Sequence, residues 1–236
     1  YLSTEAGLRN GSIWANCMWL KGVVMKAHYN GLIPRNPFIQ FHISPNVKER
    51  EYLTEDELKA VMTHEFADSK LAYIRDIFIF ASFTALSFVD IQALTNDNIV
   101  EVNGEKWIFS KRHKTKVAFQ VKLLDIPLQI VERYRPMQKD NRIFPGLNYW
   151  SICKPLKRMI RECGITKSIS FHCSRHGFAT LALSKGMPIE SVSRVLGHTN
   201  IVTTQLYAKI TTQKLDNDLT MFGDKLSKTF NGITMS

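Results

Sequence analysis

Two imidazoles, a guanidinium and a phenol occur close together in the last third of the chain. They lie in the segments FHCSRHGFATLAL and SVSRVLGHTNIVTTQLYAKI, and they are His172, Arg175, His198 and Tyr207. Arginine offers a planar fork of donors that matches a phosphate oxyanion, and histidine donates to such oxygens or transfers a proton near neutral pH. A tyrosine, with an ordinary pKa of about 10, becomes a nucleophile where a cationic pocket stabilises the phenolate or a base accepts its proton. The set can therefore bind a phosphodiester and attack it without a metal or a nucleotide.

The first two groups are predicted to share one helix. His172 and Arg175 are three residues apart, a spacing that places two side chains on the same helical face. We expect this helix to begin near Ser170 and to end at Gly186. The imidazole and the guanidinium should therefore point in the same direction.

The other two groups are predicted to follow at the ends of two further helices. Pro188 suits the first turn of the second helix, and Gly197 is expected to be its C-cap, which leaves His198 at the start of a turn. Asn200 can cap a third helix, which is expected to carry Tyr207.

Each motif is weak alone, because a tyrosine on a helix is usually a packing residue and an LGH sequence can be an ordinary helix end. Together, in this order and at this spacing, the motifs resemble the tyrosine recombinases, the phage-integrase family of site-specific DNA strand exchangers. The similarity extends to integrases of Bacteroides-type mobile elements. HCSRHGFATLAL is similar to the family's HxxRH helix, and LGHTNIVTTQLYAKI to its LGH turn and nucleophile helix. The resemblance covers residues 52–220 well and residues 1–46 more loosely.

The resemblance implies a mechanism that needs no cofactor, metal or ATP. Tyr207 would attack a DNA phosphate and form a 3′-phosphotyrosine, leaving a free 5′-hydroxyl. Arg175, His172 and His198 would hold the nonbridging oxygens, with His172 also a candidate acceptor of the tyrosine proton, and Lys114 would protonate the leaving oxygen. Because the phosphotyrosine retains the bond energy, a 5′-hydroxyl from another duplex can reverse the step.

One residue of the family pattern is absent. The segment that normally carries the family's first arginine reads TALSFVD over residues 84–90, with Ser87 in the arginine's place. Losing one preorganised donor at an oxyanion typically costs about 2.7–4 kcal/mol, so either catalysis is impaired or another cation takes this role. Arg112 is the predicted substitute, because it would share a strand face with Lys114 if the strand continued.

A β-hairpin is predicted to present these basic residues. Residues 98–126 contain three strand-like runs, IVEVN, EKWIFSKR and VAFQVKLL, and Asn103-Gly104 is a turn signal between the first two. The resemblance assigns the family's lysine to Lys114, with Lys116 as the rival. The alternative is that this run is a solvated loop on the DNA backbone. The residues predicted to bind DNA are Lys111, Arg112, Lys116, Arg158 and Arg161.

The charge balance agrees with a polyanionic partner. The chain has 31 Lys and Arg against 21 Asp and Glu, a net charge of +10 and a pI near 9.5. Such a surplus favours nucleic acid through counterion release, although many basic proteins never bind DNA. The four cysteines form no CxxC pair, so neither a zinc site nor a disulfide framework is predicted. The longest apolar stretch, Ile77–Leu86, is too short to span a bilayer, and we expect a cytoplasmic, nucleoid-associated protein with no membrane partner.

The expected fold is α+β and mainly helical, the catalytic fold of DNA breaking-rejoining enzymes, with a small three-stranded antiparallel sheet. Thr54 and Glu57 form the predicted capping box that opens its first helix. The predicted parts are the end of a helical, SAM-like core-binding domain (1–46), a linker (47–51), a catalytic domain (52–222) and a C-terminal tail (223–236).

The resemblance further implies double-stranded DNA as partner, a homotetramer in the synaptic complex, a monomer alone, and accessory DNA-bending proteins. Two alternatives stay open. A type IB topoisomerase uses the same chemistry on one duplex. A catalytically degenerate DNA-binding module would bind sites without cutting them, and Ser87 is its support.

Overall fold

The computed structural model describes residues 2–42, 44, 51–138, 140–207, 212–229 and 231. The chain divides into two compact units, Tyr1–Glu49 and Arg50–Ser236. Residues 47–50 of the predicted linker and residues 230 and 232–236 of the predicted tail lie outside the described residues. The domain limits inferred from the sequence therefore remain predictions.

The first unit contains one long helix, α1 (Asn10–Tyr29). No residue of α1 is buried, and large aromatic side chains such as Trp19 and Tyr29 are 71% and 88% exposed. This helix therefore buries no core by itself.

The core of the second unit is built around α3 (Ser69–Thr84). Asp68 caps this helix by accepting a hydrogen bond from the backbone N–H of Lys70 at 2.9 Å. Its second half is apolar on all sides, a pattern typical of a central helix, and residues 77–81 are all buried. The helices that pack against it are α2 (Glu55–Thr63), α5 (Asp125–Tyr134), α6 (Tyr149–Glu162) and α7 (Cys173–Ser184). The C-cap of α3, Ala85, is therefore buried and held in place at one end of the core.

The predicted capping box at the start of α2 is confirmed. The backbone N–H of Glu57 donates to Thr54 Oγ1 at 3.2 Å, and the backbone N–H of Thr54 donates to Glu57 Oε2 at 2.7 Å. Two N–H groups that the helix leaves without partners are therefore satisfied within four residues.

The predicted three-stranded antiparallel sheet is also confirmed. Its order is β1 (Ile99–Val102), β2 (Glu105–Lys111) and β3 (Ala118–Lys122). Asn103 and Gly104 have φ values of 53° and 77°, as a two-residue hairpin turn requires. One face of the sheet joins the hydrophobic core through Ile108, Phe119 and Val121.

The helix expected to begin near Ser170 begins later, at Cys173. The backbone N–H groups of Cys173 and Ser174 donate to the carbonyls three residues earlier, those of Ser170 and Phe171. This tighter turn leads into α7, so His172 lies at the N-cap rather than within the helix. Downstream, α7 ends at Ser184 and the chain turns at Gly186, where φ is 88°.

The next helix, α8 (Ile189–Leu196), has Gly197 as its C-cap, as predicted, whereas Pro188 is its N-cap and lies just before the first turn. The third helix differs from the prediction, because α9 (Val202–Gln205) is only four residues long and ends before Tyr207. The backbone N–H of Tyr207 donates to Thr204 O at 3.0 Å, a three-residue bond typical of a frayed helix end. Tyr207 therefore lies in a turn and not on the expected helix.

The last described helix, α10 (Thr212–Thr229), continues across the predicted boundary between residues 222 and 223. A short helix, α4 (Phe88–Gln92), follows α3 and precedes the sheet. Among the described helices, none combines the length and apolar character that a membrane span requires.

Candidate active site

A buried carboxylate organises the segment in which Ser87 replaces the expected arginine. Ser87 caps α4, and its hydroxyl donates to Asp90 Oδ2 at 2.7 Å. The backbone N–H of His113 donates to Asp90 Oδ1 at 2.9 Å, and Arg112 Nη1 donates to Asp90 Oδ2 at 2.8 Å. Burial alone raises the pKa of Asp90, but these three hydrogen bonds outweigh it and hold the pKa below its ordinary value. Asp90 is therefore a fixed anion that binds Arg112.

Arg112 is held on three sides. Besides the bond to Asp90, its Nη2 donates to Val195 O at 2.6 Å, and its guanidinium carbon lies 4.0 Å from the centroid of the Phe119 ring. The side chain is only 7% exposed. Burial lowers the pKa of Arg112, and the charge of Asp90 opposes this change. An arginine remains protonated under such conditions, so a cation is fixed beside the segment that lacks one.

The strand geometry expected for Arg112 is wrong, although the residue lies at the site. β2 ends at Lys111, and residues 113–115 form a turn toward β3. Arg112 therefore does not share a strand face with Lys114. Its position is determined instead by Asp90 and by the end of α8.

Arg175 occupies a similar environment on α7. Its Nη1 donates to Ala85 O at 2.9 Å, and its Nη2 donates to Leu196 O. Burial, with a smaller contribution from the charge of Arg112, lowers the pKa of Arg175 to about 10. The guanidinium is still charged at neutral pH, and the negative end of the α8 dipole stabilises both cations.

His198 follows the C-cap of α8. Its Nδ1 lies 2.9 Å from Thr204 Oγ1, within hydrogen-bonding distance. Burial, followed by the charges of Arg175 and Arg112, lowers the pKa of His198 to about 4. The imidazole is therefore neutral at physiological pH, and it can donate or accept a proton but carries no charge of its own.

The rings of Tyr207, His176 and His172 form a line of aromatic contacts. The centroid of the Tyr207 ring is 5.2 Å from that of His176, which in turn is 4.6 Å from that of His172. His176 is buried, Tyr207 is half buried and His172 is exposed. Tyr207 also raises the pKa of Arg175 electrostatically. The structure thus brings Tyr207, Arg175 and His198 together with Arg112, and His172 joins them through the ring of His176.

The basic turn of the sheet lies at the edge of this cluster. Lys111, Lys114 and Lys116 are all exposed, and no hydrogen bond or ion pair of the Lys114 ammonium is found among the described residues. The turn is attached to the site through the bond from the His113 N–H to Asp90. Neither Lys114 nor Lys116 is placed in contact with the arginine pair.

Arg158 and Arg161 lie far from the cluster. Both are exposed on α6, where they line a surface depression of about 430 Å³ together with Lys154, Lys157 and Glu162. Arg158 donates to Glu162 at 2.7 Å and contacts Asp68 at 3.5 Å. Asp68 caps the N-terminus of helix α3, which has 16 residues and is therefore about 24 Å long at 1.5 Å per residue. At the opposite end of α3, the carbonyl of Ala85 accepts a hydrogen bond from Arg175. The two predicted basic regions therefore occupy opposite ends of α3.

Sequence reasoning missed three residues of this site. Asp90 could have been found from the Ser87–Asp90 spacing, which is typical of a helix start. His176 belongs to the HxxRH motif, but the motif alone assigns it no role. No sequence pattern identifies Thr204, because its hydroxyl contacts the imidazole of His198, six residues earlier, only once the turn after α8 has formed.

Comparison with known proteins finds tyrosine recombinases and a transposon integrase among the relatives of this chain. The tyrosine recombinase XerD of Listeria monocytogenes serotype 4b (strain F2365) is 38% identical over 86 residues, which are 34% of this chain and 29% of XerD. The tyrosine recombinase XerC of Lactobacillus leichmannii is 25% identical over 229 residues, 91% of this chain and 77% of XerC. The structure of the Tn1549 transposon integrase in complex with a circular intermediate DNA matches with a TM-score of 0.79 and 18% identity, over 93% of this chain and 82% of that one.

The match to XerD spans less than a third of that protein's length. The structural match confirms the expected fold class, a mainly helical domain with a small antiparallel sheet. Similarity to the Bacteroides-type branch is not tested by these relatives and stays a prediction. The model of the phage integrase family matches residues 51–214, the segment that contains every group of the candidate site, and the chain belongs to that family.

Proposed function

We propose that this chain is the catalytic part of a site-specific recombinase that cuts and rejoins DNA through a 3′-phosphotyrosine, for integration or excision of a mobile element. The observation that carries the proposal is the position of Tyr207 beside a charged arginine pair and a neutral imidazole. A phosphodiester bound there meets two fixed cations, Arg175 and Arg112. The phenol acts on the pKa of Arg175, and such coupling favours the phenolate.

In the proposed reaction the Tyr207 oxygen forms a bond to phosphorus while the bond to the 5′ oxygen breaks. The phenolic proton passes to His172, and Lys114 donates a proton to the leaving oxygen. The reverse step, attack by a 5′-hydroxyl on the phosphotyrosine, releases Tyr207 and restores the phosphodiester. No bond energy is lost, so neither step consumes ATP.

Four groups would stabilise the charge on the nonbridging oxygens, namely Arg175, His172, His198 and Arg112. Arg112 supplies the charge that Ser87 lacks. Each terminal nitrogen of a guanidinium has two N–H groups, so the hydrogen bonds to Asp90 and Val195 leave one N–H on Nη1 and one on Nη2 for other partners. Its confinement by Asp90 and Phe119 is the preorganisation that makes a donor effective in a transition state.

The proposed partner is double-stranded DNA, held near the cleavage site by Lys111, Arg112 and Lys116 and farther away by Arg158 and Arg161. Recombination requires four protomers on two duplexes, and the chain alone is proposed to be a monomer. Accessory DNA-bending proteins are proposed to assist this assembly, and the protein is proposed to act at the bacterial nucleoid. Residues 1–46 would belong to a core-binding domain and residues 52–222 to the catalytic domain.

A suicide substrate tests this function directly. A duplex nicked close to the cleavage site loses a short strand after cutting, so the covalent intermediate accumulates and is seen on a denaturing gel. The reaction is run with EDTA and without nucleotide. An adduct that maps to Tyr207 supports the proposal. No adduct with any candidate site, despite specific binding, would identify a degenerate DNA-binding module.

A second assay separates recombination from topoisomerase activity. Supercoiled plasmid with one cleavage site is incubated with the protein, and recombination of a plasmid with two sites is measured in parallel. Strand exchange between the two sites supports a recombinase. Relaxation of the one-site plasmid without any exchange would support a type IB topoisomerase instead.

A further inference from the structure

Thr204 places a buried hydroxyl against the imidazole of His198. The residue is fully buried on α9, so solvent cannot complete the hydrogen bonds of its side chain. Its Oγ1 lies 2.9 Å from His198 Nδ1. Within the described part of the chain, this is the one hydrogen bond found for the Thr204 hydroxyl. The hydroxyl and the imidazole therefore depend on each other.

The direction of this hydrogen bond follows from the hydroxyl. If His198 Nδ1 carried the proton and donated it, the hydroxyl would be an acceptor and its own hydrogen would be buried without a partner, which is unfavourable. If the hydroxyl donates to an unprotonated Nδ1, both groups are satisfied. Thr204 therefore favours the imidazole form in which the single proton lies on Nε2.

The form of the imidazole matters because the ring is neutral. Burial, then Arg175 and then Arg112 lower the pKa of His198 to about 4. A neutral imidazole has one N–H, so only one of its nitrogens can donate to a phosphate oxygen. Because Nδ1 is turned toward Thr204, the donor must be on Nε2 if His198 is to bind the substrate.

We propose that Thr204 is a positioning residue, whose hydroxyl donates to His198 Nδ1 and keeps Nε2 protonated as the donor to a nonbridging phosphate oxygen. The second half of this statement rests on the proposed function, whereas the hydrogen bond and the protonated nitrogen do not. Thr204 touches no substrate in this scheme. It acts through the orientation of the ring.

Three variants separate the hydroxyl from the shape of the side chain. Thr204→Val removes the hydroxyl and keeps the volume, and Thr204→Ser keeps the hydroxyl. Thr203→Val is the matched control, because Thr203 is the exposed neighbour on the same short helix. Melting temperatures identify any variant whose fold is affected.

The first measurement is the imidazole nitrogen spectrum of the 15N-histidine-labelled protein, with His198 assigned by His198→Gln. In the native protein and in Thr204→Ser we expect a protonated Nε2 and an unprotonated Nδ1 that accepts a hydrogen bond. In Thr204→Val the Nδ1 signal should move to the position of an unbonded nitrogen. A native His198 with its proton on Nδ1, or an Nδ1 signal that is unchanged in Thr204→Val, would overturn the proposal.

The second measurement is single-turnover cleavage of the suicide substrate. We expect Thr204→Val to cut roughly 10- to 100-fold more slowly, less than the 10²–10³-fold loss typical of removing a donor outright, with Thr204→Ser and Thr203→Val near the native rate. On a methylphosphonate substrate, which lacks one charged oxygen, the penalty should shrink. An equal penalty on both substrates would assign Thr204 a merely structural role. If the native protein forms no adduct at all, the proposed function fails, while the nitrogen spectrum still decides the hydrogen bond.

Discussion

The side chain of Arg112 lies directly against Gly197, where a Cβ atom would be 3.0 Å from Nε and 3.2 Å from Cγ of the arginine. Gly197 also has a φ of 63° as the C-cap of α8. The Arg112 Nε is the one buried side-chain nitrogen or oxygen without a hydrogen-bond partner among the described residues. The glycine of the LGH turn thus ends a helix and leaves space for a guanidinium.

Gly197→Ala should therefore impair catalysis as well as folding. The left-handed conformation costs an alanine about 1–2 kcal/mol, and the new methyl group displaces Arg112, where a shift of about 1 Å can reduce the rate roughly 10²-fold. Gly186→Ala is the control, because Gly186 has a φ of 88° and a Cβ atom there would meet nothing within 4 Å. Melting temperature and single-turnover cleavage are compared. Equal cleavage rates in the two variants would show that Arg112 tolerates the methyl group.

Tyr207→Phe should abolish the covalent adduct while DNA affinity stays within about twofold of native. The phenyl ring keeps the contact with His176, and only the attacking oxygen is removed. Adduct formation is measured on denaturing gels, and affinity by titration of fluorescent duplex. Tyr52→Phe, at an exposed tyrosine of the same unit, should form adduct normally. An adduct that persists with phenylalanine at 207 would assign the nucleophile elsewhere.

Arg112→Ala should lower cleavage of bound DNA by roughly 10²–10³-fold, the usual loss for an oxyanion donor. It should also lower stability, because breaking a buried ion pair typically costs about 3–5 kcal/mol and Asp90 would lose its main counter-ion. Rates are measured at saturating protein and at a temperature well below the melting point of the variant. Cleavage at the native rate would remove Arg112 from the active site.

Ser87→Arg should partly restore the Arg112→Ala variant. The Ser87 hydroxyl already lies 2.7 Å from Asp90 Oδ2. An arginine at position 87 would therefore start beside the carboxylate that loses its ion pair in Arg112→Ala. Melting temperature and cleavage rate should both rise in the double variant. In the native background the same substitution introduces a second cation at Asp90 and should give no gain. A double variant that regains stability but no cleavage would separate the structural role of Arg112 from its catalytic one.

The low pKa of His198 predicts a specific loss of stability in acid. Its pKa is about 4 in the folded protein and about 6.5 when unfolded, so between these values the unfolded chain binds a proton that the folded protein does not. The free energy of unfolding should therefore fall as the pH drops from about 6.5 to 4. Urea unfolding at pH 7.5 and 5.0 should show a smaller loss in His198→Gln than in the native protein. Identical losses would contradict the low pKa.

DNA binding should depend steeply on salt, because lysines and arginines displace counterions from phosphates. A plot of log affinity against log salt should have a large negative slope, and Lys116→Ala should reduce its magnitude by about 1 if the residue contacts a phosphate. Arg158→Ala should change it less than Arg161→Ala, since Arg158 is bonded to Glu162 at 2.7 Å. A flat plot would show that the positive charge does not serve DNA binding.

The elements that sequence predicted correctly depend on neighbouring residues. The capping box of Thr54 and Glu57, the Asn103-Gly104 turn and the Gly197 C-cap each satisfy or bend the backbone within a few positions. Short-range rules therefore suffice for them. The prediction of a helix that carries Tyr207 is wrong, because α9 ends at Gln205. The length of so short a helix depends on its packing more than on its own sequence.

The arrangement of the charged groups was decided by tertiary structure. Arg112 binds Asp90 and the carbonyl of Val195, and Arg175 binds the carbonyls of Ala85 and Leu196, all across long separations in sequence. Every residue carries a backbone carbonyl, so no residue type marks the one that an arginine will meet. The sequence alone determined which chemical groups are present and which family they indicate. Only the packing of α3, α7 and α8 decided that two arginines meet at the end of one helix, because that end supplies unpaired carbonyls in a fixed direction.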